Sequence, residues 1–155
     1  MYLWRDKLEA ILSSLLEPDM DEYERVKAIH DYVALNIKYD NKTANSISHT
    51  AEGALFNGLA VCDGYAAAFK MLLNAAGIES LVIYGDTQEG AHAWNQVKIE
   101  DEWYNVDVTW ACTAGRGKVY YGYFCAPDSV FSREHWPEKP GIAHTCDSTE
   151  YYRQQ

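Results

Sequence analysis

Two consecutive segments of alternating apolar and polar residues, 91–99 and 102–109, constrain the fold most, because only two residues separate them. Alternation with a period of two is typical of β-strands. A connection as short as Glu100 and Asp101 can only join strands that run antiparallel as a hairpin. The sequence therefore predicts an antiparallel pair with these two acidic residues at its turn.

The hairpin register decides which side chains share a face of the sheet. With a two-residue turn, Trp94 lies opposite Asp107 and His92 lies opposite Thr109, and all four side chains point to one face. His92 and Asp107 are then diagonal neighbours within reach of a hydrogen bond. Valines flank Asp107, and a buried carboxylate is costly without a partner. A turn of three or five residues would put the two side chains on opposite faces.

Three segments before the hairpin carry apolar residues at helical spacing, and they cover about 4–15, 23–37 and 65–76. Asp19, with Glu22 three residues later, resembles the capping box that starts a helix. We therefore expect three helices in the first half of the chain.

The remaining segments complete the predicted architecture. Residues 41–58 are polar and predict a loop, whereas 81–84 and 119–124 predict two further strands. Helices that precede a run of strands favour an α+β fold over an alternating α/β fold.

Size and charge exclude several function classes. The 155 residues and a hydrophobic fraction of 48% predict a single domain over 1–155, with its core at about 20–136. A net charge of −10 disfavours nucleic-acid and anionic-membrane partners. No apolar stretch is long enough to insert into a membrane, and residues 1–14 are too charged for a signal peptide.

The cysteine pattern predicts neither a metal site nor a cofactor. No CxxC pair occurs, and the late group that includes His135 and His144 matches no usual ligand spacing. If Cys62 is a free nucleophile, the other three cysteines allow at most one disulfide. The four cysteines are Cys62, Cys112, Cys125 and Cys146.

Cys62 stands at the predicted start of the third helix, where unpaired N–H groups and the helix dipole stabilise a thiolate. Taken singly, a cysteine or histidine in such a position is more often structural. Together with the predicted His92–Asp107 pair, it suggests a catalytic triad. Asp107 would orient His92, and His92 would take the proton of the Cys62 thiol.

Three further residues are candidates for binding substrate. The backbone N–H of Cys62 and one more donor, either Asn57 or Tyr39, would hold the oxyanion that forms during attack on a carbonyl. Trp94 is a candidate wall of the substrate channel, and a core position is the alternative for it.

These residues resemble the transglutaminase-like superfamily from about residue 26 to 135. The matching stretches occur in the family's order, and Tyr123, Phe124, Asp128 and His135 resemble the trailing segment of its bacterial branch. The stretches are 28–33 (AIHDYV), 37–40 (IKYD), 60–66 (AVCDGYA), 76–78 (AGI), 92–95 (HAWN) and 106–110 (VDVTW).

The resemblance implies a papain-like fold and a nucleophile, base and acid at Cys62, His92 and Asp107. Active members attack an amide to form a thioester, which water or an amine then resolves. The calcium-site motif of the animal cross-linking enzymes is missing from the sequence, which favours a peptidase or amidase acting on peptides or proteins. Protein-glutamine transamidation and an inactive scaffold domain are the alternatives. The bacterial branch often occurs in exported proteins, so an extracellular or cell-surface location is expected.

Overall fold

The computed structural model describes residues 2–42, 45–113 and 117–152. A helical half precedes a four-stranded antiparallel sheet, as predicted for an α+β fold. The helices are α1 (Tyr2–Leu15), α2 (Glu22–Asn36), α3 (Cys62–Ala75), α4 (Val108–Thr113) and α5 (Asp128–Phe131). The strands are β1 (Lys38–Tyr39), β2 (Leu59–Ala60), β3 (Ser80–Thr87), β4 (Gly90–Ile99), β5 (Glu102–Val106) and β6 (Trp136–Pro137).

The first three helices form where the sequence predicts them, but the N-cap of α2 lies two residues after the predicted one. Asp21 accepts the backbone N–H of Glu24, and the Glu24 side chain accepts the N–H of Asp21. The prediction of Asp19 and Glu22 as the capping box is therefore wrong. Asp21 is the N-cap because the helix begins at Glu22, and the N3 residue that completes the capping box is then Glu24.

The sheet has the order β5-β4-β3-β6, and α3 packs against β3 and β4. Ile99 pairs with Glu102, which confirms the predicted two-residue turn. Glu100 and Asp101 both have positive φ, 50° and 69°, as a two-residue hairpin turn with the twist of the strands requires. Side chains on one sheet face enter the main core with the helices, and those around Trp94 and Phe131 form a smaller cluster.

The second hairpin strand is shorter than predicted. The last pair of the ladder is Asn95 with Val106, and the chain turns into α4 directly afterwards. The expected pairings of Trp94 with Asp107 and of His92 with Thr109 are therefore wrong. The cause lies in Asp107, whose carboxylate accepts the N–H of Trp110 three residues on and so caps the new helix.

Two other local predictions also fail. Residues 119–124 form no strand, and they end in a turn in which the Phe124 N–H donates to the carbonyl of Tyr121. Within residues 41–58, the described part contains a short 3-10 helix, Ser46–His49, and a π-helical turn, Gly53–Asn57; residues 43 and 44 lie outside the described residues. The strand predicted at 81–84 is present as the longer β3.

The segment after α5 returns to the sheet and adds β6 to the edge of β3. Asp86 pairs with Trp136 and Gly85 pairs with Pro137. A β-carbon at Gly85 would collide with the backbone oxygen of Trp136 and the ring of Trp94, so only glycine allows this close approach. The sequence between α5 and β6 is thereby held against the centre of the protein.

Across the described residues, none of the helices combines the length and apolar character needed to span a bilayer. All four cysteines lie in the described part of the chain and none is joined to another. The assignment of residues 1–155 to one domain stays a prediction.

Candidate active site

Cys62 is the first residue of α3, as the sequence predicts. Val61 before it is extended, and the helix begins with the bond from the Tyr65 N–H to the Val61 carbonyl. The N–H groups of the first turn therefore have no partner within the helix. A β-carbon at Gly64 would collide with the backbone oxygen of Ser48, so the glycine lets the preceding loop pack against this helix end.

His92 lies on β4 and contacts Asp107 at the end of β5. Its Nε2 is 2.8 Å from Asp107 Oδ2, although Asp107 has left the strand ladder. The diagonal contact predicted from the hairpin register is thus present in the structure. The Asp107 side chain is fully buried, which makes an ionised carboxylate there dependent on its hydrogen-bond donors.

His92 also lies near Cys62, since both residues line one cleft and Cys62 contributes to the pKa of the imidazole. Burial lowers the pKa of His92, but the hydrogen bonds to Asp107 and Cys62, and their negative charge, raise it to about 10. A charged imidazole beside the sulfur favours the thiolate form that attacks carbonyl carbon.

Asp107 has a second side-chain hydrogen-bond partner, to which no role was assigned from the sequence. His135 Nε2 lies 2.7 Å from Asp107 Oδ2, and its side chain is buried. Oδ1 accepts the N–H of Trp110 at 3.1 Å. Burial raises the pKa of Asp107, but hydrogen bonds from His135 and His92 and the charge of the two rings hold it below its usual value.

His135 could not be assigned because it lies far along the chain in a segment without periodicity. One available signal was chemical: a fully buried carboxylate with two oxygens needs more than one donor. The sequence placed His135 in the trailing segment that resembles the bacterial branch and near His144, but gave it no role. His144 instead stacks on Trp103 with ring centroids 4.0 Å apart.

His92, Asp107 and His135 form the one group in the described chain whose ligand atoms, within 4.8 Å of one another, are close enough to share a cation. Both imidazole Nε2 atoms already contact one carboxylate oxygen at hydrogen-bond distance. We therefore assign the group as a hydrogen-bonded network.

A cleft of about 280 Å³ opens beside Cys62 and His92. Tyr39 lines it, whereas Asn57 is exposed at the end of the π-helical turn and Trp94 is buried outside the lining. The ten lining residues are Tyr39, Asn41, Cys62, Thr87, Glu89, Ala91, His92, Thr109, Trp110 and Thr113. Of the three predicted substrate-binding residues, the structure brings only Tyr39 to the cleft.

The other cysteines have different surroundings. Cys125 and Cys146 are buried; burial raises the pKa of the Cys125 thiol well above its usual value and that of Cys146 to about 12. Cys112 is half-buried and its sulfur accepts the hydroxyl of Tyr65. Of the four cysteines, Cys62 is the one that lines the cleft together with a histidine.

The fold agrees with comparisons to known proteins. The family model Transglut_core, described as transglutaminase-like superfamily, matches residues 9–108, and the chain belongs to that superfamily. The matched range includes Cys62, His92 and Asp107 and ends before His135. The superfamily's active members are cysteine-dependent enzymes.

Among curated proteins, the kyphoscoliosis peptidases of Mus musculus and Homo sapiens are each 28% identical over 84% of this chain. The chain spans only 23% of the length of either relative.

Solved structures share the fold. A TGase is 23% identical with a TM-score of 0.59, covering 67% of this chain and 31% of its own. A candidate cysteine protease from Cytophaga hutchinsonii is 24% identical with a TM-score of 0.58, covering 67% and 37%. The periplasmic domain of TgpA from Pseudomonas aeruginosa is 22% identical with a TM-score of 0.51, covering 74% and 46%. The papain-like fold of transglutaminase-like proteins is thereby established for this chain.

The surroundings of His92 predict a titration far from that of an ordinary histidine. We expect imidazole nitrogen NMR shifts to titrate at about 10 in the wild type. In Asp107→Asn the pKa should fall toward the ordinary 6.5, because Asp107 contributes most to raising it. A His92→Gln variant assigns the signal.

The same shift fixes the sign of the pH dependence of stability. A pKa of about 10 in the folded chain against 6.5 unfolded means that His92 contributes fully to the free energy of unfolding below pH 6.5. This contribution is lost as the pH rises through about 10. Urea unfolding across this window should show the decline, and a wild-type His92 that titrates near 6.5 would contradict the proposed charge state.

Proposed function

We propose that this domain is a cysteine hydrolase, a peptidase or amidase that acts on peptide or protein amides through a thioester acyl-enzyme. The observation that carries the proposal is that His92, hydrogen-bonded to Asp107, lines the same open cleft as Cys62. A structural cysteine needs neither a charged neighbour nor access to solvent, and Cys62 has both.

The proposed reaction follows from the positions of the three groups. The Cys62 sulfur attacks the amide carbon, and its electron pair forms the C–S bond while the carbonyl oxygen becomes negative. His92, held by Asp107, donates its proton to the leaving nitrogen as the C–N bond breaks. Water then attacks the thioester and gives one proton to His92. The C–S bond breaks, the carboxylic acid is released, and Cys62 is again a thiolate beside the protonated His92.

Two observations support hydrolysis over transfer to an amine. The cleft is open to solvent, so water reaches the thioester without a second binding site. The curated relatives that cover most of the chain are named peptidases, although the chain spans only 23% of their length.

The decisive variant is Cys62→Ala, which removes the nucleophile. We expect wild type to cleave members of a mixed peptide and protein panel and the variant to lose all cleavage, read by mass spectrometry. Cys112→Ala is the matched control, because Cys112 is also partly exposed but lies outside the cleft. It should retain activity.

Iodoacetamide should modify Cys62 faster than Cys125 or Cys146, whose thiols are buried with a raised pKa.

A labelled primary amine in the same panel separates the alternatives. Amine incorporation that depends on Cys62 would move the assignment to a transamidase. Uniformly slow alkylation of all four cysteines, together with no product and no trapped acyl-enzyme, would favour a scaffold domain.

Tyr39 is proposed as the second oxyanion donor, beside the backbone N–H of Cys62. It lines the cleft; burial and then the negative charge of Cys62 raise the pKa of its hydroxyl, so it stays a protonated donor. Tyr39→Phe should lower kcat by about 100-fold, since loss of one oxyanion donor has this typical effect, and leave KM nearly unchanged. Asn57→Ala, at the exposed alternative, is the control. Equal losses in both variants would remove Tyr39 from this role.

An exported location is proposed for the protein that carries this domain. The support is the periplasmic setting of the TgpA domain, together with the resemblance to the bacterial branch. Fractionation of the source cells with an antibody against this domain should recover the protein outside the cytoplasm. Recovery with cytoplasmic markers would reject the location without affecting the proposed chemistry.

A further inference from the structure

His135 contacts the same carboxylate oxygen as His92. Its Nε2 lies 2.7 Å from Asp107 Oδ2, against 2.8 Å for His92 Nε2. The Asp107 side chain is fully buried, and an ionised carboxylate only accepts hydrogen bonds. Both imidazoles therefore donate an N–H to Oδ2, and Oδ1 accepts the N–H of Trp110. Three donors in different directions fix the orientation of the carboxylate plane.

The position of His135 is fixed from two sides. Its backbone N–H donates to the carbonyl of Phe131, and its ring stacks on the Phe131 ring with centroids 3.8 Å apart. The next residue, Trp136, pairs with Asp86 on β3, in the segment where Gly85 allows close approach. The ring has no freedom to leave Asp107 without breaking these contacts.

The pocket around His135 suits an apolar ring better than a polar one. Phe131, Trp110 and Trp94 surround it, and its Nδ1 is buried without a hydrogen-bond partner in the described chain. Burial of an unpartnered polar atom costs stability. Packing alone therefore does not explain a histidine at this position, whereas the bond from Nε2 to Asp107 does.

We propose that His135 is a positioning residue of the catalytic centre, whose Nε2–H keeps the Asp107 carboxylate ionised and oriented toward His92. This inference rests on the proposed cysteine hydrolase function. His135 lies outside the lining of the cleft that holds Cys62, and it acts through Asp107. With His135, the proposed catalytic centre includes a residue outside the segment 9–108 that matches the superfamily model.

The charged surroundings of Asp107 set the sign of the expected effect. His92 and His135 bond its side chain. Burial lowers the pKa of His30 and the charge of Asp107 opposes this, whereas burial raises the pKa of Tyr123 and the same charge adds to it. Burial opposes ionisation of Asp107, and the hydrogen bond from His135 favours it. Loss of this bond should therefore move the acid limb of the activity profile to higher pH.

The test compares His135→Phe, which keeps a stacked ring but has no donor, with His135→Gln, whose amide places an N–H close to the position of Nε2. The readouts are the rate constant for iodoacetamide modification of Cys62 across pH, which needs no amide substrate, and kcat/KM on a cleaved peptide. We expect H135F to lose roughly 10- to 100-fold in kcat/KM, mainly in kcat, because a hydrogen bond to a buried charge is lost. Its acid limb should move to higher pH, and H135Q should recover most of both effects.

Tyr123→Phe is the matched control, since it removes a hydroxyl that bonds Glu134 beside His135 and leaves the Asp107 side chain untouched. Its acid limb should stay in place. If H135F does not fold by near-ultraviolet circular dichroism, His135→Asn replaces it, because the shorter amide ends near Nδ1 and does not reach Asp107.

The outcomes separate this inference from the proposed function. Wild-type rates and an unmoved acid limb in folded H135F would overturn the positioning role and leave the hydrolase proposal standing. Equal losses in H135F and H135Q, again without a moved limb, would reduce His135 to packing and overturn it as well. A wild-type Cys62 that reacts no faster than Cys112 would overturn both.

Discussion

The burial of one carboxylate organises the centre of this protein. Asp107 has no contact with solvent, so its charge depends on donors that the fold must supply. It receives them from three places: His92 on β4, His135 after α5, and the backbone of Trp110 in α4. Each donor belongs to a different element and contacts the end of β5. The hydrogen bonds to this one buried charge therefore hold the β4–β5 hairpin, α4 and the segment after α5 in contact with one another.

The same charge reaches the cleft through His92. Because Asp107 and Cys62 flank the imidazole, His92 is protonated far more readily than an exposed histidine, in spite of its burial. The start of α3 brings Cys62 to this ring, and Gly64 allows the helix end to approach the preceding loop. Cys62 therefore lies at a helix start, beside a readily protonated imidazole and next to a closely packed loop. The thiols of Cys125 and Cys146 are instead buried, and their pKa values are raised.

Turn length and the periodicity of apolar residues were enough to predict much of the fold and part of the candidate site. A two-residue connection between alternating segments allows one hairpin register, so the diagonal approach of His92 to Asp107 followed from residue spacing. The start of α3 at Cys62 followed from helical periodicity. The error at Asp107 is instructive: valines on both sides favoured a longer strand, but its carboxylate caps α4, and a side chain that bonds its own backbone three residues on overrides β propensity.

The sequence by itself thus determined an α+β fold, a cysteine at a helix start and a histidine beside an aspartate, because turn length and periodicity are properties of neighbouring residues. The tertiary structure alone decided that His135 joins Asp107, that Tyr39 lines the cleft and that Asn57 does not. His135 lies 28 positions beyond Asp107. Its contact depends on α5, on the return of β6 to β3 and on the missing β-carbon of Gly85, and such long-range packing leaves no periodic trace in the sequence.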